Sequence, residues 1–115
     1  MNVSVVTTTV SLGGLDMLFN SLVAQRDPPE FEIILADEWY EMRKDLLADR
    51  LRRDYAGLNV KHVPITKRLP FIDHCTGWNT GLRTAEGELV CFLNDYFWAY
   101  PDYVKDHWVD FVKGF

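Results

Sequence analysis

Phe31-Glu32-Ile33-Ile34-Leu35-Ala36-Asp37-Glu38 decides the fold class. A short apolar run of this length, cut off by two acids, reads as a buried strand. Asp27-Pro28-Pro29 stands before it as punctuation. After it, Met42, Leu46, Leu47, Leu51 and Tyr55 recur at helical spacing, and Gly57 closes that stripe. On the other side, Leu15, Leu18, Phe19, Leu22 and Val23 give an earlier helix, behind the loop Ser11-Leu12-Gly13-Gly14. The β-branched run from Val3 to Thr8 opens the chain as a first strand. Downstream, Asn59-Val60-Lys61-His62-Val63 reads as a third, more exposed strand ended by Pro64. A loop with Lys67, Arg68 and Pro70 leads to a third helix around 73–84, ended by Gly87. Leu89-Val90-Cys91-Phe92-Leu93 is continuous in its hydrophobicity, which predicts a central fourth strand. Pro101 opens a last helix carried by Val104, Trp108, Phe111 and Val112.

Strands alternating with helices predict an α/β domain with a doubly wound, mostly parallel sheet covered on both faces. The 115 residues are expected to form a single domain over 1–115. An apolar share of 48% and an aromatic share of 14% suffice to close one core, and 25% charged residues without low complexity argue against disorder. Twelve basic and seventeen acidic residues leave a net charge of −5, so no nucleic acid partner is expected, because duplex binding needs a basic face. One nucleotide diphosphate stays compatible with that charge. Cys75 and Cys91 are the only cysteines, which suits a reducing compartment better than a disulfide framework. With neither a basic leader nor a membrane span in view, the expectation is a soluble, cytoplasmic protein.

In a doubly wound sheet, ligands bind beyond the carboxyl ends of the strands. Strand one ends in Thr7-Thr8-Thr9, strand two in Asp37-Glu38 and strand four in Asn94-Asp95. Three strands therefore deliver polar or acidic side chains to one rim. The alternative is helix capping, since Thr, Asp and Asn suit helix starts.

Several segments together resemble family 2 glycosyltransferases of the GT-A type. Val3 to Thr9 is similar to the opening strand of that family, and Ser21-Leu22-Val23-Ala24-Gln25 to the end of its first helix. Phe31 to Glu38 resembles the second strand with its acidic pair. Asn79-Thr80-Gly81-Leu82-Arg83-Thr84-Ala85-Glu86-Gly87-Glu88 is similar to a further family motif, and Phe92-Leu93-Asn94-Asp95 sits where the Asp-any-Asp motif belongs. The resemblance covers nearly the whole chain in order. It implies a GT-A (Rossmann-like) half domain, with four parallel strands in the order 3-2-1-4, that binds a nucleotide-diphosphate sugar. Thr9, with Thr8 before it, would lie beside the nucleoside, and Asp37 or Glu38 would accept a hydrogen bond from the base. Asn94, Asp95 and Tyr96 would occupy the metal motif, which in the family holds a divalent Mn or Mg ion against the diphosphate.

The departures bear on chemistry. Asn94 replaces the first carboxylate and Tyr96 the second aspartate, leaving Asp95 in the variable middle position; metal binding is therefore expected to be weak. Trp39 and Tyr40 follow the acidic pair where the family has small residues, and could stack on a base or simply pack. Thr8 replaces a proline. Family 2 domains are also much longer, and their other half carries the acceptor site and catalytic base. The resemblance thus implies a chain incomplete for transfer and a possible partner in the rest of a longer enzyme. His62, His74 and His107 lack metal spacing, and no dinucleotide or P-loop glycine motif is present. A non-catalytic, receiver-like signalling or binding module is the competing class; it would need a lysine after a fifth strand, which the sequence does not offer.

Overall fold

The computed structural model describes residues 1–66 and 74–114. Its elements run β1 (Val3–Thr9), α1 (Leu15–Val23), β2 (Phe31–Asp37), α2 (Tyr40–Asp54), β3 (Val60–Pro64), α3 (His74–Thr84), β4 (Leu89–Phe92) and α4 (Tyr103–Lys113). The four strands form one parallel sheet in the order β3-β2-β1-β4. The loop expected at Lys67, Arg68 and Pro70, and Asp73 at the start of the third helix, lie outside the described residues.

Alternation along the strands assigns the two faces. Val3 and Val5 of β1, Ile33 and Leu35 of β2 and Cys91 of β4 share a core with Leu18, Phe19 and Leu22 of α1, Leu47 of α2 and Val104 of α4. The opposite face carries Val6 and Thr8, against which α3 packs through Gly81 and Gly77; a Cβ on either glycine would overlap those side chains. Only residues without a side chain let this helix approach so closely. Helices therefore cover both faces, and the α/β, doubly wound, all-parallel class expected from the sequence is what forms.

Two expectations about burial change. The fourth strand is not central: β4 is an edge of the sheet, with Phe92 53% exposed. Its apolar run is sheltered on one side by β1 and on one face by α4, and an apolar run reports burial without telling which neighbour supplies it. Leu47 of α2 and Tyr55 just past its end reach the core, whereas Met42 and Leu46 are exposed.

The amino end of the sheet holds a buried carboxylate. Glu32 accepts hydrogen bonds from Ser4 Oγ (2.7 Å) and from the Glu86 backbone N–H (2.8 Å), and Lys61 Nζ lies 2.8 Å from its other oxygen. Burial pushes the Glu32 pKa up, and these donors outweigh it, so the net shift is downward. This is how a charge is kept at the buried end of a strand: one oxygen accepts two hydrogen bonds and the other faces an ammonium.

Candidate functional site

At the carboxyl ends of the strands, three loops are sewn together. Thr9 is fully buried, and its Oγ1 donates to Asp95 Oδ2 at 2.7 Å. This joins the end of β1 to the loop after β4. The Glu38 N–H donates to the Thr9 carbonyl at 3.0 Å, and Trp39 Nε1 donates to the Val10 carbonyl at 2.7 Å. Thr7 Oγ1 donates to the Leu93 carbonyl, fixing where β4 leaves the sheet. Thr9, Glu38 and Asp95 thus meet on one rim.

Asp37 is the most heavily bonded group there. It is 1% exposed, and Arg43 grips it with Nε at 2.5 Å from Oδ2 and Nη2 at 2.8 Å from Oδ1. His62 Nε2 lies 2.8 Å from Oδ2, and the Trp39 N–H donates to Oδ1 at 2.8 Å. Burial raises the carboxyl's pKa, but the bonds from His62, Arg43 and Trp39 prevail and hold it at about 2. Arg43 Nη2 also donates to the Ser11 carbonyl, so the same guanidinium holds the β1–α1 loop. Tyr40 packs on the His62 ring with centroids 4.7 Å apart. Beside these residues, an open groove of about 610 Å³ is lined by Glu38, Trp39, Tyr40, Met42, Pro64 and Ile65.

The remaining expected residues are dispersed around this rim. Thr8 lies on the other face of the sheet from Thr9, buried against Gly77, and its Oγ1 has no hydrogen-bond partner among the described residues. Asn94 is exposed, its carbonyl accepting from the Phe97 N–H. Tyr96 does not turn toward Asp95; its ring lies over Gly14, whose φ of 89° opens the space. Helix capping does not explain the rim: α1 and α2 begin at Gly14 and Trp39 with no side-chain cap bond.

Arg43 and His62 are the rim residues that sequence reading missed. A signal existed for His62: strand alternation puts Val60, His62 and Pro64 on the face of Asp37, with which Pro64 is in register. Ser21 and Gln25 of the first-helix motif have a structural task. Ser21 Oγ accepts from the Ala99 N–H, while Gln25 donates to the Tyr100 carbonyl and accepts from the Val104 N–H. Together they hold the segment that follows the Asn94-Asp95 pair.

A divalent ion finds too few protein ligands here. Among the described residues, no three His, Cys, Asp or Glu side chains are grouped to hold a metal, and Asp95 is the only carboxylate in the motif. The donor set does not build a metal centre by itself.

No protein-family model matches the chain, and no curated protein matches it. The solved structures are informative: the chain has the fold of the GT-A, family 2-type glycosyltransferases. TarS from S. aureus, as residues 1–349, superposes with a TM-score of 0.78 at 26% identity over 98% of this chain and 33% of that one. The same TarS fragment in complex with UDP-GlcNAc gives a TM-score of 0.72 at 25% identity, over 98% and 32% of the two chains. The mannosyltransferase PcManGT from Pyrobaculum calidifontis, in complex with GDP-Man and Mn²⁺, shares the fold at 22% identity, with a TM-score of 0.64 over 83% and 27%. The chain spans 20–33% of the TarS chains it matches. Among the described residues, no helix is long and apolar enough to cross a membrane.

Proposed function

We propose that this chain is the nucleotide-sugar-binding half of a glycosyltransferase, holding a sugar nucleotide at the rim where Thr9 meets Asp95. The observation that carries the reading is that hydrogen bond. It brings the end of β1 and the loop after β4 together, beside the Glu38–Trp39 turn, on a sheet shared with TarS chains solved with UDP and UDP-GlcNAc. In this reading Glu38 borders the nucleoside, the buried Thr9 backs it by holding Asp95 in place, and Trp39 and Tyr40 offer aromatic faces to the base. Asp37 shapes that pocket through Arg43 and His62. Thr8 supports it from beneath.

A divalent cation, Mn or Mg, would take Asp95 and the Asn94 amide as protein ligands and most of its oxygens from the diphosphate, so it would bind weakly without nucleotide. It would supply charge neutralisation of the diphosphate. The partner is a nucleotide-diphosphate sugar, with the rest of a longer enzyme supplying what transfer needs. A cytoplasmic location goes with this reading, since Cys75 and Cys91 are not joined in a disulfide and fit a reducing compartment.

Thermal denaturation with uridine and guanosine diphosphates and with UDP-GlcNAc, each with and without manganese, tests the proposal. Binding to the folded state alone raises the midpoint by several degrees at a large ligand excess. No shift with any nucleotide, with or without metal, sinks it.

A further inference from the structure

Two consecutive carbonyls of the loop between β1 and α1 are caught from the same side. Trp39 Nε1 donates to the Val10 carbonyl at 2.7 Å, and Arg43 Nη2 donates to the Ser11 carbonyl at 2.8 Å. Both residues are anchored on Asp37, whose Oδ1 accepts from the Trp39 N–H and from Arg43 Nη2, each at 2.8 Å. Arg43 Nη2 thus directs one proton to the end of β2 and the other to the loop after β1. A guanidinium has this reach because its donors form a rigid fork, whereas the ammonium of a lysine is a single point charge. The other arginines of α2 serve the surface: Arg50 pairs with Asp16 and Asp54, and Arg52 and Arg53 pair with Asp49.

From Ser11 the path continues to the rim. The Ser11 N–H donates to Thr9 Oγ1 at 3.3 Å, and that hydroxyl donates to Asp95 Oδ2 at 2.7 Å. Thr9 is fully buried and the Arg43 side chain is only 11% exposed, so water competes little at either end. A run of hydrogen bonds therefore leads from α2, through the β1–α1 loop, to the loop after β4. Without the guanidinium, Ser11 is released to turn away from Thr9, and the hydroxyl loses the neighbour that orients it toward Asp95.

We infer that Arg43, assisted by Trp39, is a positioning residue for sugar-nucleotide binding: it acts through Ser11 and Thr9 to set Asp95, a role that rests on the rim holding a nucleotide.

Calorimetry with uridine diphosphate and with guanosine diphosphate, manganese present throughout, compares wild type, Thr9→Val, Arg43→Lys and the double variant, each well below its melting midpoint. Arg43→Lys is expected to weaken nucleotide binding about fivefold, the effect of one lost hydrogen bond. The double variant should bind scarcely more weakly than Thr9→Val alone, because both changes cut one path. Trp39→Phe leaves the Asp37–Arg43 pair in place, removes the donor to Val10 and should show the same coupling to Thr9→Val; it carries the test if Arg43→Lys does not fold. Arg52→Lys, on an exposed pair, should bind like wild type, and an equal fall there would overturn the role. An Arg43→Lys chain that melts earlier yet binds nucleotide like wild type would reduce Arg43 to a structural part and overturn it as well. Weakenings that multiply in the double variant would do the same, since Arg43 would then reach the nucleotide by another route. All three results leave the nucleotide reading standing. A wild-type chain that binds neither diphosphate removes that reading, and the positioning role goes with it.

Discussion

Thr9 and Asp95 stand 86 residues apart in the chain and 2.7 Å apart in the fold, the hydroxyl of one donating to the carboxylate of the other. The bond closes the rim between β1 and the β4–α4 loop. Thr9→Val keeps the side-chain shape and removes the donor. A bond to a charged acceptor is worth about 1.5–3 kcal/mol, so the urea midpoint should fall by a corresponding amount. Uridine diphosphate affinity should fall with it, because the loop bearing Asp95 loses its tether. Wild-type stability and affinity in this variant would show that the rim is held by other contacts.

Asp37 gives a pH prediction. Its folded pKa of about 2 lies below the ordinary value near 3.8. A depressed carboxyl contributes stability that is fully present above the unfolded pKa and is lost as pH falls through the folded one. The window is therefore about pH 4 down to pH 2, and the loss is on the order of 2 kcal/mol. Glu32, also lowered, works in the same direction below its ordinary 4.5. Denaturant unfolding across this range should show the slope, and Asp37→Asn should flatten it. An unchanged slope in the variant would mean that the Arg43 and His62 contacts do not hold the charge. Asp37→Ala should be severe, leaving the largely buried Arg43 guanidinium without its partner at a cost of about 3–5 kcal/mol.

Much of this arrangement was legible in the sequence, and the parts that were not share a cause. β1, β2 and β4 could be read because each is largely a β-branched or apolar run with punctuation at its end, and β3 because Val60 and Val63 run up to Pro64. The acids and threonines at those ends followed from strand direction. Arg43 could not be found that way: on a helix as charged as α2, one arginine among four looks solvated, and only the tertiary fold turns it onto Asp37. His62 was hidden by the same logic, as a polar residue in a strand that looked exposed. The apolar run of β4 suggested a central strand because hydrophobicity counts neighbours without naming them, whereas the order 3-2-1-4 that the family resemblance implies puts β4 beside β1 at the edge, where it lies. Tyr96 was expected at a metal motif and instead covers Gly14, a contact between loops that no local pattern announces.

The α3 interface offers a packing test. Gly77 faces Thr8, with a hypothetical Cβ 2.8 Å from the threonine Cβ, and Gly81 faces Val6. Gly→Ala normally favours a helix by up to about 1 kcal/mol. Here overpacking should reverse the sign, with Gly81→Ala and Gly77→Ala each destabilising by about 1–3 kcal/mol. Gly57→Ala, where nothing lies within 4 Å, serves as the control and should stay within about 0.5 kcal/mol of wild type. Equal melting temperatures for all three variants would show that α3 can move off the sheet.

The 115 residues alone should bind a sugar nucleotide without transferring its sugar. Transfer needs a base within hydrogen-bond reach of the acceptor hydroxyl, next to the anomeric carbon. Two of the acids at the rim are already engaged: Asp37 is gripped by Arg43, and Asp95 accepts from Thr9. Asp102 is paired with Arg26 and Lys105, and Asp106 and Asp110 follow it along α4. The chain also matches only 20–33% of the TarS chains, so groups supplied by the remainder of such a fold have no counterpart in it. Incubation with UDP-GlcNAc or GDP-Man, manganese and simple sugar acceptors should release diphosphate no faster than the slow hydrolysis seen without acceptor. Release that rises with acceptor concentration would mean that a base is present within these residues, and the half-domain reading would have to be abandoned.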